Sequence, residues 1–203
     1  MYSFQEQLDF SRGVREVDDL ETIEALLPGC TVRKTTKAQD VAGVDYIATL
    51  RNGAEIFIDG KARDRGASRF WRSGPEFALE RWSVIPGGTF NTPRAQAKTG
   101  WTLCEKKQTD MVLFSFDPSD SHEVFLVSFQ HLRLAFRANC LAWMASYKTD
   151  IQKTRQGAYQ WESECVFVPA YVVLEAITDA SRGTRPEKTT VPALAHAPAH
   201  IRS

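Results

Sequence analysis

The four cysteines of this chain, Cys30, Cys104, Cys140 and Cys165, stand far apart, and none belongs to a Cys-x-x-Cys pair. That spacing argues against a zinc knuckle and suits buried free thiols in a reducing compartment. Net charge is missing too. Twenty-five basic and 25 acidic residues cancel, so any nucleic-acid surface has to come from local clustering. No apolar run approaches the roughly 20 residues that cross a bilayer. The opening Met1-Tyr2-Ser3-Phe4-Gln5-Glu6 has no basic patch and no apolar stretch. The expectation is a cytoplasmic protein with no leader and no membrane partner. No internal repeat is visible.

The 203 residues are 43% hydrophobic and 11% aromatic, enough for one sizeable core. One domain is expected over residues 1–180. Residues 181–203, rich in Pro, Ala, Thr and Arg and without periodicity, read as a disordered tail. His196 and His200 lie in it with Pro198 between them. A proline there breaks the helix that would bring both rings to a metal, so they read as solvated.

Residues 14–27 carry Val17, Leu20, Ile23 and Leu27 at helical spacing, and Pro28-Gly29 stops the pattern. Residues 41–50 are apolar and β-branched, Asn52-Gly53 gives a turn, and residues 54–58 are strand-like again. This is the strongest hairpin signal in the chain. Further strands are expected over 77–85, 110–116, 123–129 and 165–168, and helices over 130–147 and 170–177. The pattern is α/β.

The second hairpin strand ends Ile56-Phe57-Ile58-Asp59-Gly60-Lys61. Residues two apart on a strand share a face, so Asp59 and Lys61 point the same way at the end of an apolar run. Charge placed there needs compensation, which a divalent cation would supply. Asp45 opens the other strand. A two-residue loop would set Asp45 across from Gly60 and turn Asp59 to the opposite face. A three-residue loop, Arg51-Asn52-Gly53 with Gly53 left-handed, pairs Leu50 with Ala54 and Asp45 with Asp59. Turn propensity leaves the two open. The second puts two carboxylates roughly 5 Å apart, where one cation can bind both, and it is the expectation adopted.

With Asp45 followed by Asp59-Gly60-Lys61 on consecutive strands after a helix, the chain resembles the PD-(D/E)xK phosphodiesterase superfamily. The resemblance covers about residues 14–61 well and the remainder in outline, and it departs at Val44, where the family often has proline. It implies a restriction-endonuclease-like fold, a central mixed β-sheet flanked by helices. It further implies a Mg²⁺-dependent endo- or exodeoxyribonuclease, with Mn²⁺ able to substitute, DNA as partner and a homodimer as one arrangement. Restriction, recombination, repair and phage or mobile-element conflict are all open to it. Asp45 and Asp59 would hold the metal, with the Gly60 carbonyl as a further ligand, and Lys61 would orient or activate the attacking water. Mg²⁺ prefers such hard oxygen donors.

Glu24, near the apolar stripe of the first helix, and Glu80, amid Phe77, Leu79 and Trp82 on a strand expected beside the hairpin, are candidates to complete the metal site. Glu21 lies further from the stripe. A second acid-x-lysine, Glu105-Lys106-Lys107, has no preceding hairpin acid and ranks below the first. After Lys61 comes Ala62-Arg63-Asp64-Arg65-Gly66-Ala67-Ser68-Arg69-Phe70-Trp71-Arg72. Arg63, Arg65, Arg69 and Arg72 suit phosphates and Trp71 suits a base, or else Trp71 is tucked into the core. Arg33, Lys34 and Lys37 form a weaker patch. The competing reading is a non-catalytic nucleic-acid- or protein-binding module on the same fold.

Overall fold

The strand signals resolve into two sheets. The computed structural model describes residues 16–36, 43–63, 71–93, 95–116, 123–183 and 194–198. In chain order these form α1 (Glu16–Leu26), β1 (Thr31–Lys34), β2 (Tyr46–Thr49), β3 (Glu55–Arg63), β4 (Glu76–Val84), β5 (Lys98–Thr99) and a 3₁₀ turn (Trp101–Leu103). They continue with β6 (Met111–Phe116), β7 (Glu123–Ser128), α2 (Phe129–Ser146), β8 (Lys148–Gln156), β9 (Tyr159–Pro169), α3 (Ala170–Gly183) and β10 (Leu194–Pro198). One sheet has the order β1-β2-β3-β6-β7-β10 and the other β5-β4-β9-β8. The class is α/β, with a mixed sheet, because β3 and β6 run parallel while the other pairs are antiparallel.

β6, Met-Val-Leu-Phe-Ser-Phe, is buried at all six positions. A strand covered on both faces needs a continuous apolar run, and this one takes the centre of the sheet. Its alternate residues feed two cores. Met111 and Leu113 join Ile56, Ile58, Ala48 and Tyr46 under α1, which contributes Ile23 and Leu27. Val112, Phe114 and Phe116 face the second sheet, α2 and α3, meeting Phe77, Val168, Phe136 and Ile177. Phe77 stacks on Phe114 with ring centroids 3.9 Å apart.

The hairpin has the three-residue loop. Leu50 N donates to Ala54 O at 2.8 Å, Gly53 has φ +81°, and the ladder runs from Thr49↔Glu55 to Tyr46↔Ile58. The ladder ends there. Asp45 N donates to the Ile58 carbonyl at 2.8 Å, so Asp45 is offset from a regular bridge with Asp59.

Three expectations change. The strand carrying Glu80, β4, does not neighbour the hairpin; the fully apolar β6 occupies that place, and β4 pairs with β9 in the second sheet. The short strand expected at 165–168 is the end of the β8–β9 hairpin, closed at Gly157 with φ +60°. β8 has only Thr154 buried, so it shows no apolar alternation to read. From the stretch expected to be a tail, Leu194–Pro198 adds an antiparallel edge strand to β7. Edge pairing decides that segment, which has little β-propensity of its own.

Candidate functional site

β3 turns Ile56 and Ile58 toward α1 and leaves Asp59 and Lys61, which pair with Val112 and Phe114, on the face toward the second sheet. Asp59 is only 2% exposed. An isolated carboxylate at that depth would be neutral. Here Lys61 Nζ donates to Asp59 Oδ1 at 2.7 Å and Lys107 Nζ donates to Asp59 Oδ2. Burial pushes the Asp59 pKa up, but the two ammonium charges outweigh it and hold the carboxyl below its ordinary value. Burial likewise works against the charged form of Lys61, yet Asp59 keeps that lysine above its ordinary value. Lys107 is held below its own by burial and the repulsion of Lys61, against the attraction of Asp59.

Asp45 meets the pair from β2's opening. Its Oδ2 accepts from Gly60 N at 2.7 Å. Burial first, then the negative charge of Asp59, push its pKa up to about 6, with Lys61 and the Gly60 amide pulling the other way. Two carboxylates in contact resist joint ionisation, so Asp45 keeps its proton to a higher pH than an ordinary aspartate. The residues read together from the sequence, Asp45, Asp59, Gly60 and Lys61, do converge.

The other candidates are placed differently. Glu24 is exposed on α1, as is Glu21, and the charge of Glu24 is felt at Cys30. The helix acid that approaches the site is Asp19, buried, with its Oδ2 accepting from Tyr46 Oη at 2.9 Å. A β-carbon on Gly60 would lie 3.5 Å from Asp45 Oδ2 and 3.8 Å from Asp19 Oδ2. Those are ordinary contacts, while the Tyr46 ring, with Cε2 3.2 Å from that β-carbon, would have to give way. Asp19 is in register with Ile23 and Leu27, four residues apart each time. Centring the stripe on Val17 and Leu20 hid it. Glu80, on the facing sheet, accepts from Ser83 Oγ at 2.6 Å and Trp101 N at 2.9 Å.

The second acid-x-lysine splits in two. Glu105 is exposed and accepts from Arg137 at 2.6 Å, while Lys107 turns inward to Asp59. Both site lysines lie near the Trp101 ring, with Nζ 5.1 Å (Lys61) and 5.5 Å (Lys107) from its centroid. Gly43 makes room for Lys107. It has φ +83°, and a β-carbon there would come within 2.6 Å of Lys107 Cε. Thr109 Oγ1 fixes that turn by donating to the Gly43 carbonyl at 2.5 Å. Gly43→Ala is expected to lower unfolding free energy by about 1–3 kcal/mol in urea titrations, from the left-handed backbone and the displaced lysine together. Unchanged stability would show that the turn relaxes freely.

Of the basic segment, Arg65 and Arg69 lie outside the described residues. Arg63 ends β3 with its guanidinium 4.9 Å from the Phe167 ring centroid, and Arg72 is exposed. Trp71 is half-buried and packs edge-on against Phe116 at 5.3 Å, beside the core.

No family model matches the chain, and neither a curated protein nor a solved structure is detectably similar to it. No helix among the described residues is long and apolar enough to cross a membrane.

Proposed function

We propose that the chain is a metal-dependent nuclease of the PD-(D/E)xK type that hydrolyses phosphodiester bonds in DNA. The observation that carries this reading is the buried Asp59 of β3, gripped by Lys61 two residues on and crowded by Asp45 from the neighbouring strand. An acid, then an acid-x-lysine, on consecutive strands after a helix is the family's arrangement.

Among the described residues no three His, Cys, Asp or Glu side chains are already gathered as a cation cage. The donor chemistry nevertheless fits Mg²⁺. Asp45 and Asp59 offer hard oxygens, Asp19 lies close by, and the raised Asp45 pKa, set by burial first and the Asp59 charge second, marks a carboxylate whose ionised form a dication would stabilise. Asp45 and Asp59 would hold the ion, with the Gly60 carbonyl beside them. When bound, it supplies Lewis-acid stabilisation of charge building on the phosphate. The chain's own groups do the rest. Lys61, kept charged by Asp59, offsets the phosphate charge and orients the attacking water. Trp101 limits water around both ammoniums, and in a less polar setting each charge acts more strongly.

One observation favours the second reading, a binding module. Both oxygens of Asp59 are taken by lysines, as in a structural ion cluster. A cleavage assay separates the two. Duplex, branched and single-stranded DNA should be cut with Mg²⁺ or Mn²⁺ and left intact in EDTA. DNA binding with no cleavage of any substrate under either metal would leave the binding module.

A further inference from the structure

We propose that Lys107 is a latch on the Asp59 carboxylate, holding a cation-binding oxygen until a substrate phosphate offers its ammonium another partner. The proposal rests on the nuclease reading and assigns a role to a residue outside the acid-x-lysine motif.

Lys107 comes from the segment before β6, 46 positions after Lys61 in the chain. Its side chain is 12% exposed and reaches Asp59 through the space left by Gly43. With Lys61 on Oδ1 and Lys107 on Oδ2, one carboxylate carries two ammoniums. A dication approaching Oδ2 meets a like charge already seated there, so lysine and cation compete for the same atom. Removing the lysine's charge removes the competitor.

The displaced ammonium would stay beside a second cation. Lys61 and Lys107 converge near Trp101, each Nζ within 5.5 Å of its ring centroid, so one phosphate can meet both. Substrate thereby draws Lys107 off Asp59 and admits the cation. The two binding events strengthen each other, as linkage requires. A merely structural lysine predicts the reverse, because its loss would loosen the site and weaken cation binding.

The test is calorimetric titration of Mn²⁺, without DNA, into the wild type, Lys107→Met, Lys107→Gln and the double variant Asp59→Asn/Lys107→Met, with folding checked by circular dichroism. Two uncharged replacements keep the test open if one fails to fold. Both folded Lys107 variants should bind Mn²⁺ about tenfold or more tightly than the wild type, given the strength of like-charge repulsion at this range. The double variant should lose the gain. Equal or weaker binding in the folded Lys107 variants, with a wild type that still cuts DNA, overturns the latch alone. Absence of Mn²⁺ binding in every variant and of cleavage in the wild type overturns the nuclease reading with it.

Discussion

Asp59→Asn should lower DNA cleavage by at least roughly a hundredfold, the scale on which loss of one charge-stabilising group acts in a desolvated site. It should also weaken the fold. The variant leaves the largely buried ammoniums of Lys61 and Lys107 without the carboxylate that bridges them, with only the more distant charge of Asp45, and of Glu80 at Lys61, still acting on them. Breaking a buried ion pair from one side destabilises by about 3–5 kcal/mol. Lys61 is 31% exposed, so water relieves part of that and the lower end applies. A motif carrying chemistry alone would let Asp59 be removed with the fold untouched; two lysines on its oxygens make it structural as well. Lys61→Met is the informative partner, since it removes one cation and leaves the Asp59–Lys107 pair. It should remove cleavage with a smaller loss of stability in urea. Wild-type cleavage by folded Asp59→Asn would take the site away from β3 altogether. Glu105 is no refuge, since it is exposed and paired with Arg137.

The parts of this site that were legible in the sequence are local. Asn52-Gly53 and the apolar runs around it mark the hairpin and leave its loop length open, the chemical sense of opposed carboxylates picks the three-residue form, and Gly53 adopts it. The spacing of Asp59 and Lys61 guarantees a shared face whatever the rest of the chain does. The parts that escaped depend on non-local packing. Nothing near residue 111 says that β6 runs parallel beside β3, displacing β4 and Glu80 into a second sheet. Lys107 was visible only as half of a weaker acid-x-lysine. Its partner turned outward, and the left-handed Gly43 that admits it is 64 positions away. Asp19 was hidden by a stripe centred on the wrong residues. β8 gave no signal because a strand exposed along nearly its whole length carries no apolar alternation.

Asp45→Asn should make the protein more stable at pH 8 while abolishing cleavage. Asp45 has its pKa pushed up to about 6 from an ordinary 3.8, by burial and by the charge of Asp59. The folded state therefore holds the Asp45 proton more tightly than the unfolded chain does. That preference stabilises the fold fully below about pH 4 and is lost as pH rises toward 6, so stability falls across this window. Asp59, held low, contributes with the opposite sign, but its loss comes as pH falls below its ordinary value of 3.8, outside the window. The full Asp45 shift corresponds to roughly 3 kcal/mol, and its partial exposure reduces that to about 2 kcal/mol. Asparagine can still accept from Gly60 N and can donate to Asp59, so it keeps the contacts and removes the repulsion. Urea unfolding at pH 4 should find the two proteins nearly equal, and at pH 8 should find the variant ahead by about 2 kcal/mol. A catalytic centre that carries strain behaves this way, with function and stability drawing on the same charge. Saturating Mn²⁺ should narrow the gap at pH 8, because a dication stabilises the wild-type carboxylate pair by mass action and has less to bind in the variant. A variant less stable than the wild type at pH 8 would mean that Asp45 is held by attraction, and the repelling pair on which the metal reading stands would not exist.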